Sequence, residues 1–268
     1  VGSTGSATIK AAGKNVKEVL AFILAKKAQP TVTQPSVSLG GTQTGQNLEV
    51  GTAVSKIGTM TSTLNAGSYT YGPATGITAK TWATSVKYSG GENIATGNTD
   101  STHYSYNFTL GETAVTVNFS ATATYDAGAT PKDNLGGTAT VAGIAAGSKE
   151  KTVAATYTPF RNFFYGVDNG TDPIDSALIR SLTKGGAAAK KTLGTIAASS
   201  KPGATRVIVA IPNDSAINVT KVLMPSAMNA DATANFVKQS STVNVAGANG
   251  TDFMKAYKVW VYQPASID

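Results

Sequence analysis

Residues 114–125 read AVTVNFSATATY. Val115, Val117, Phe119, Ala121, Ala123 and Tyr125 alternate with Thr116, Asn118, Ser120, Thr122 and Thr124. That period of two gives a strand one apolar and one polar face, so it predicts a half-buried β-strand. Shorter runs of the same kind lie at 36–39, 55–63, 78–88, 103–109 and 138–144. They are separated by Gly-rich breaks such as NAGSYTYGPATG, YSGG and DAGATPKDNLGG,. Short strands at this spacing predict an immunoglobulin-like β-sandwich over residues 30–150. The chain has no cysteine, so the Cys…Trp…Cys hallmark is missing and Trp82 is the available core ring.

Upstream, residues 14–27 read KNVKEVLAFILAKK and predict an amphipathic helix. Asn15 suits the N-cap, Glu18 follows three residues on, and Lys26 and Lys27 complement the C-terminal dipole. Val16, Val19, Leu20 and Ile23 form one stripe, while Phe22 and Leu24 lie off it. A helix this short needs a partner, either its own domain or other subunits. Residues 1–29 are therefore expected to be an arm and anchor or oligomerisation helix. Pro30 and Pro35 in AQPTVTQPSVSL favour an extended connection into the first strand.

Downstream, residues 151–170 read KTVAATYTPFRNFFYGVDNG and mark a change of texture. Tyr157, Phe160, Phe163, Phe164 and Tyr165 fall within nine residues there, dense enough to seed a core or a subunit contact. A second domain is expected over 151–268. DPIDSALIRSLTKGG predicts one short helix, with Asp172 as N-cap, Pro173 at the first position, Asp175 at the third and Gly185 as the stop. Its apolar face is Ile174, Leu178 and Leu182. Residues 206–211, RVIVAI, read as a central strand, with further strands at 217–223, 234–239, 242–246 and 257–262. AGANGTD, residues 246–252, reads as a hairpin loop. The expected fold is thus mainly β: two Ig-like or β-sandwich-type domains after a short N-terminal helix, with one short helix in the C-terminal domain.

Charged residues make up 14% of the 268-residue chain and its net charge is +7. Only Arg161, Arg180 and Arg206 are arginines, and no lysine run exceeds two. Nucleic-acid binders cluster their cations and lean on arginine forks, so this charge is read as solvated lysines. Disulfides and thiolate metal sites are excluded by composition. No apolar run approaches the ~20 residues of a membrane-spanning helix. The opening VGSTGSATIK lacks the pattern of a signal peptide, and Val1 fits Met removal, processing or truncation equally.

Motifs for chemistry are missing as well. His103 is the single histidine; it lacks the companions of a zinc site and any G-x-S-x-G elbow. DNGTD, residues 168–172, has the spacing of part of a calcium loop but not its distal ligands, and a turn accounts for every residue. No catalytic, cofactor or metal residue is assigned. A rival to a structural role is glycan binding, as in a tail adsorption protein or bacterial surface module, with Trp82, Trp260, Tyr69 and Tyr71 as an aromatic platform.

Four strings occur together: QPTVTQPSVSL (29–39), LEVGTAVSKIGTMTSTLNAGSYTYGPATGITA (48–79), YDAGATPKDNLG (125–136) and TPFRNFFYGVDNGTDPIDSALIRSLTKG (158–185). In these the chain resembles structural proteins of tailed phages that infect gut Bacteroidales, including crAss-like phages. The resemblance runs from about residue 14 to the end and carries no catalytic residue. It implies a helical N-terminal piece before Ig-like β domains and a virion location such as a head fibre or surface appendage. It also implies sister subunits and capsid proteins as partners.

Overall fold

The computed structural model describes residues 13, 15–24, 26–170, 172–187, 206–224, 228 and 230–262. In chain order its first half contains α1 (Val16–Leu24), β1 (Val32–Thr33), β2 (Ser36–Gly40), β3 (Gln46–Glu49), β4 (Ala53–Asn65), β5 (Ser68–Tyr69), β6 (Thr81–Tyr88), β7 (Asn93–Gly97), β8 (Ser101–Thr109), β9 (Val115–Tyr125) and β10 (Gly147–Phe160). The second half contains β11 (Asn162–Asp168), α2 (Ser176–Ser181), β12 (Thr183–Ala187), β13 (Arg206–Pro212), β14 (Leu223–Met224) and β15 (Ala230–Asp231). A 3-10 turn at Thr233–Asn235, β16 (Phe236–Lys238), β17 (Val243–Val245) and β18 (Lys255–Tyr262) complete it. The chain is mainly β, with short helices and sandwich-type packing.

Two sheets face each other in the first unit. One has the order β2-β4-β8 and the other β3-β10-β9-β6-β7, while β1 and β5 form a small ribbon. All these pairings are antiparallel except β3 with β10. The alternation in β9 does what the sequence demands: Val117, Phe119, Ala121, Ala123 and Tyr125 are buried while the intervening polar residues are half-exposed. Phe119 meets Tyr104 edge to face at 5.1 Å between ring centres. Across the same core the hydroxyls of Tyr106 and Tyr157 bond at 2.8 Å, tying β8 in one sheet to β10 in the other. Burial, followed by that hydrogen bond, pushes the Tyr106 phenol far above its ordinary value, so it stays neutral,.

The second unit is built on one sheet of order β12-β11-β13-β18-β16, with β17 also paired to β18. Its central strand β13 is apolar from Val207 to Pro212 because both faces are covered,. Phe164, Ile208, Ala210, Tyr257 and Val259 pack beneath α2, whose Ile179 is fully buried. Val209, Ile211 and Trp260 form the opposite face, covered by Ile217, Val219 and Val222.

Several expected boundaries shift, each for a local reason. Residues 138–144 are not a strand; Thr138 makes one isolated bridge to Lys132. There the Asp133 carboxylate captures the N–H groups of Leu135 and Gly137, a turn that competes with a ladder,. The last strand of the first sandwich is β10 instead, paired with β9 from Gly147 to Tyr157. The stretch 151–160, expected to open the second domain, therefore belongs to the first sheet. Helix α2 starts later than expected, because Asp175 and not Asp172 is the N-cap, accepting the Leu178 N–H at 2.9 Å. Gly185 lies in β12, not at the helix stop. Added there, a Cβ would sit 1.9 Å from the Phe163 ring. Within 217–223 only Leu223 joins a strand, and Ile217, Val219 and Val222 pack on the sheet without pairing in it.

Phe119→Ala should open a cavity at the centre of the first sandwich and cost about 3–5 kcal/mol. Urea unfolding monitored by tyrosine signals of this unit checks it; a loss below about 1 kcal/mol would contradict this packing.

Candidate functional site

Helix α1 forms where the capping box predicts. Asn15 Oδ1 accepts the Glu18 N–H and Glu18 Oε2 accepts the Asn15 N–H, both at 3.0 Å,. Of the expected stripe, Val16 is 75% and Leu20 51% exposed, and Leu24 one turn on is 80% exposed. Val19 is half-buried, and the Ile23 side chain lies outside the described residues. An apolar row at i, i+4 and i+8 thus faces solvent on this helix.

The segment after α1 is fastened to the first sandwich. Lys27 Nζ reaches Asp133 Oδ2 at 3.2 Å. Asn134 Nδ2 donates to the Lys26 carbonyl at 2.9 Å, and the Ala28 N–H donates to Asn134 Oδ1 at 2.7 Å. The Thr140 N–H donates to Gln29 Oε1 at 2.8 Å. Burial would raise the Asp133 carboxyl, but the Gly137 N–H, Lys27 and the Leu135 N–H together hold it below its ordinary value,. Lys27, expected at the helix C-terminus, thus serves an ion pair with a distant loop, and the last turn of α1 holds no basic residue.

The five aromatics of 157–165 do not gather into one cluster. Tyr157 lies in the first core, Phe164 in the α2 face of the second sheet, and Phe163 and Tyr165 on its opposite face. Phe160, half-buried, ends β10. Alternation along a strand sends neighbours Phe163 and Phe164 to opposite faces, which a count of rings per window cannot register.

What holds the two units together is polar. Glu49, at the end of β3, accepts Arg180 Nη1 on Oε1 at 2.9 Å and Lys184 Nζ on Oε2 at 2.8 Å. The same Arg180 nitrogen donates to the Ala246 carbonyl at 2.9 Å, and its guanidinium lies 5.7 Å from the Phe164 ring centre. The Ala248 N–H donates to the Val50 carbonyl at 2.6 Å. Next to it Gly51 has φ +88°, and a Cβ there would come 2.6 Å from Ala248 N, a position that needs glycine. Arg161 adds a pair to Glu112 and a hydrogen bond to the Phe253 carbonyl. Desolvation would raise the Glu49 carboxyl, yet the bonds from Lys184 and Arg180 outweigh it and keep it below 4.5,. Single-sequence periodicity carries no trace of this clasp, since its members are 131 and 135 residues apart.

The other singled-out residues take structural roles. His103 Nδ1 lies 2.6 Å from Thr59 Oγ1 on the exposed face of β4 and β8. Asp168 is held bidentately by Arg206, which also donates to the Asp172 carbonyl. That pairing occupies the first carboxylate of DNGTD. The four rings considered as a platform lie apart. Trp82 packs with Val37, Ala121 and Ala123; Tyr69 packs with Ile77, Tyr125 and Ile144; Trp260 is buried on β18. Tyr71 is half-exposed. Lys258 is buried beside Trp260 and donates to the carbonyls of Ser215 and Ile217 and to Asn218 Oδ1, at 2.8, 3.0 and 3.2 Å. Desolvation lowers its pKa. Among the described residues no three His, Asp or Glu side chains are grouped to hold a metal ion, and no helix is long and apolar enough to cross a membrane. No protein-family model, curated protein or solved structure matches this chain.

The depressed Glu49 pKa makes the clasp pH-sensitive in a defined direction. Its stabilisation is full above 4.5 and is lost as pH falls through the lower folded value,. Glu49→Gln should cost about 1–2 kcal/mol, since half-exposed Lys184 is screened. It should also speed hydrogen exchange at Ala248 and remove the acid dependence of that exchange. Unchanged exchange at Ala248 would show that the carboxylate does not hold the junction.

Proposed function

We propose that this chain is a non-enzymatic structural protein of a phage particle, a head fibre or related surface appendage. It attaches through its N-terminal helix to the capsid or sister chains and projects its β units outward. The observation that carries this reading is α1: Val16, Leu20 and Leu24 are exposed in a row, on a helix whose following segment is fastened to the first sandwich. An apolar helix face of this kind is stable in water when another surface covers it. Repetition of such a contact around a symmetry axis builds a closed oligomer.

The β units support the same reading. The sheet order of the first sandwich, three strands on five, places the consecutive strands β2 and β3 in opposite sheets and pairs β3 parallel to β10. We read that arrangement as Ig-like. The second unit follows β10 with a single intervening residue, so the two are arranged in series. A protein that works by projection and contact is served by this arrangement and needs no reaction centre. Its place is the virion, after synthesis in the bacterial cytoplasm, with capsid proteins and sister subunits as partners and neither nucleic acid nor membrane.

Immunogold labelling of purified virions with antibody to residues 36–268 tests the location, and gold over the capsid is the expected result. Label confined to the tail would replace the appendage by an adsorption protein. Bare virions with labelled host cells would overturn a virion role. A chain lacking residues 1–29 should fold but fail to decorate virions; decoration by that chain would remove α1 from the attachment.

A further inference from the structure

The outer face of the β10-β9-β6-β7 sheet is dished into an open trough of about 740 Å³, and its lining is mainly polar side chains and small residues. Cross-strand register arranges the side chains as a grid. Thr152, Ser120 and Ser85 stand side by side across three strands, with Thr96 next on β7. Glu150 flanks that row beside Thr122, and Lys87 flanks it at the diagonal corner beside Asn118. Ser120 and Thr152 share a hydrogen bond of 2.7 Å. Asn118, Thr122, Ser85 and Thr96 make no side-chain hydrogen bond among the described residues, nor does the Lys87 ammonium pair with a carboxylate.

We infer that this trough is a binding site for an uncharged oligosaccharide. The chemistry of the lining eliminates the other ligand classes in turn. A peptide that adds a strand would pair along the outer edge of β7 or of β10 and not across this face, and a peptide that docks by side chains needs apolar pockets. Nucleic acid and other polyanions need clustered cations, whereas one Lys87 is balanced by one Glu150. Hydroxyls and an amide each donate and accept, so a row of them matches a ligand that presents hydroxyls in the same dual capacity. A carboxylate and an ammonium at opposite corners extend the match, because each forms charge-assisted hydrogen bonds to sugar hydroxyls. Tyr88 turns its ring to the inner face, edge to face on Tyr106 and Phe108 at 6.4 and 6.3 Å, so the trough is left to hydrogen-bonding side chains. The site is shallow and wet, so its single-site affinity is weak. It also differs from the aromatic platform expected from Trp82, Trp260, Tyr69 and Tyr71, since it recognises by hydrogen bonds and not by stacking.

This inference goes beyond the appendage reading and stands on the sheet face alone, so the two fail separately. The test is an amide chemical-shift titration of the whole chain with cellohexaose, maltohexaose and linear mannohexaose, and with a heparin hexasaccharide as the polyanion control. Saturable shifts confined to residues 83–88, 118–122 and 150–152 with at least one neutral hexasaccharide are expected. Asn118→Ala combined with Ser85→Ala should weaken that binding by about tenfold or more, the loss of roughly two neutral hydrogen bonds. Thr63→Ala, on the opposite sheet, should leave it unchanged. Both altered positions lie on the outer face away from the core, and a retained amide spectrum separates lost binding from lost fold. No saturable shift with any neutral probe at about ten times the millimolar range of weak sites, or shifts with heparin alone centred on Lys87, would overturn the proposal.

Discussion

A single residue, Arg161, separates the last strand of the sandwich from the first strand of the second sheet. With no linker to absorb motion, the two units are placed by whatever contacts the chain makes around that step. Those contacts are few and mostly polar: the carboxylate of Glu49 between Arg180 and Lys184, the Val50 carbonyl on Ala248, and Arg161 itself between Glu112 and Phe253. Gly51 lets the two backbones approach to that distance. Each unit meanwhile has its own apolar core, so the junction fixes orientation while burial fixes stability.

What the amino-acid order made legible follows from this division. Local signals were clear wherever one face of a segment meets water and the other does not. The alternation in β9, the apolar run of β13 and the Asn15–Glu18 capping box all appear where they were read. Segments ruled by distant partners were not legible. Residues 138–144 read as a strand, but the backbone there makes one isolated bridge and Ile144 plugs a small core with Tyr125 and Ile77. Within 217–222, Ile217, Val219 and Val222 roof a sheet without pairing in it, and the Ile217 carbonyl is taken by Lys258 from another strand. The ring-rich stretch 157–165 was visible as dense in aromatics, but its division among three cores depends on strand alternation across a domain boundary. The outer trough was less visible still, since Ser, Thr and Asn on a strand look alike whether they face bulk water or a ligand.

Polar groups in this molecule are spent mainly on joining pieces. Asp133 and Asn134 hold the segment after α1, Arg206 ties Asp168 to the Asp172 carbonyl, and Lys258 fastens the roof of the second sheet with three hydrogen bonds. Titratable side chains with such partners are committed to architecture, which supports the attachment role proposed above. The apolar row of α1, Val16, Leu20 and Leu24, is by contrast left exposed.

The parallel pairing of β3 with β10 has a mechanical consequence. Gln46 to Glu49 run alongside Tyr157 to Phe160 in the same direction, although one strand enters from the N-terminal side and the other leaves toward the second unit. Tension between the two ends of the chain therefore drags these strands past each other lengthwise. In that direction every rung of the ladder carries load together, and the zipper cannot open one bond at a time. Load applied between the segment before β3 and the second unit would meet its resistance here, close to the step between the two units.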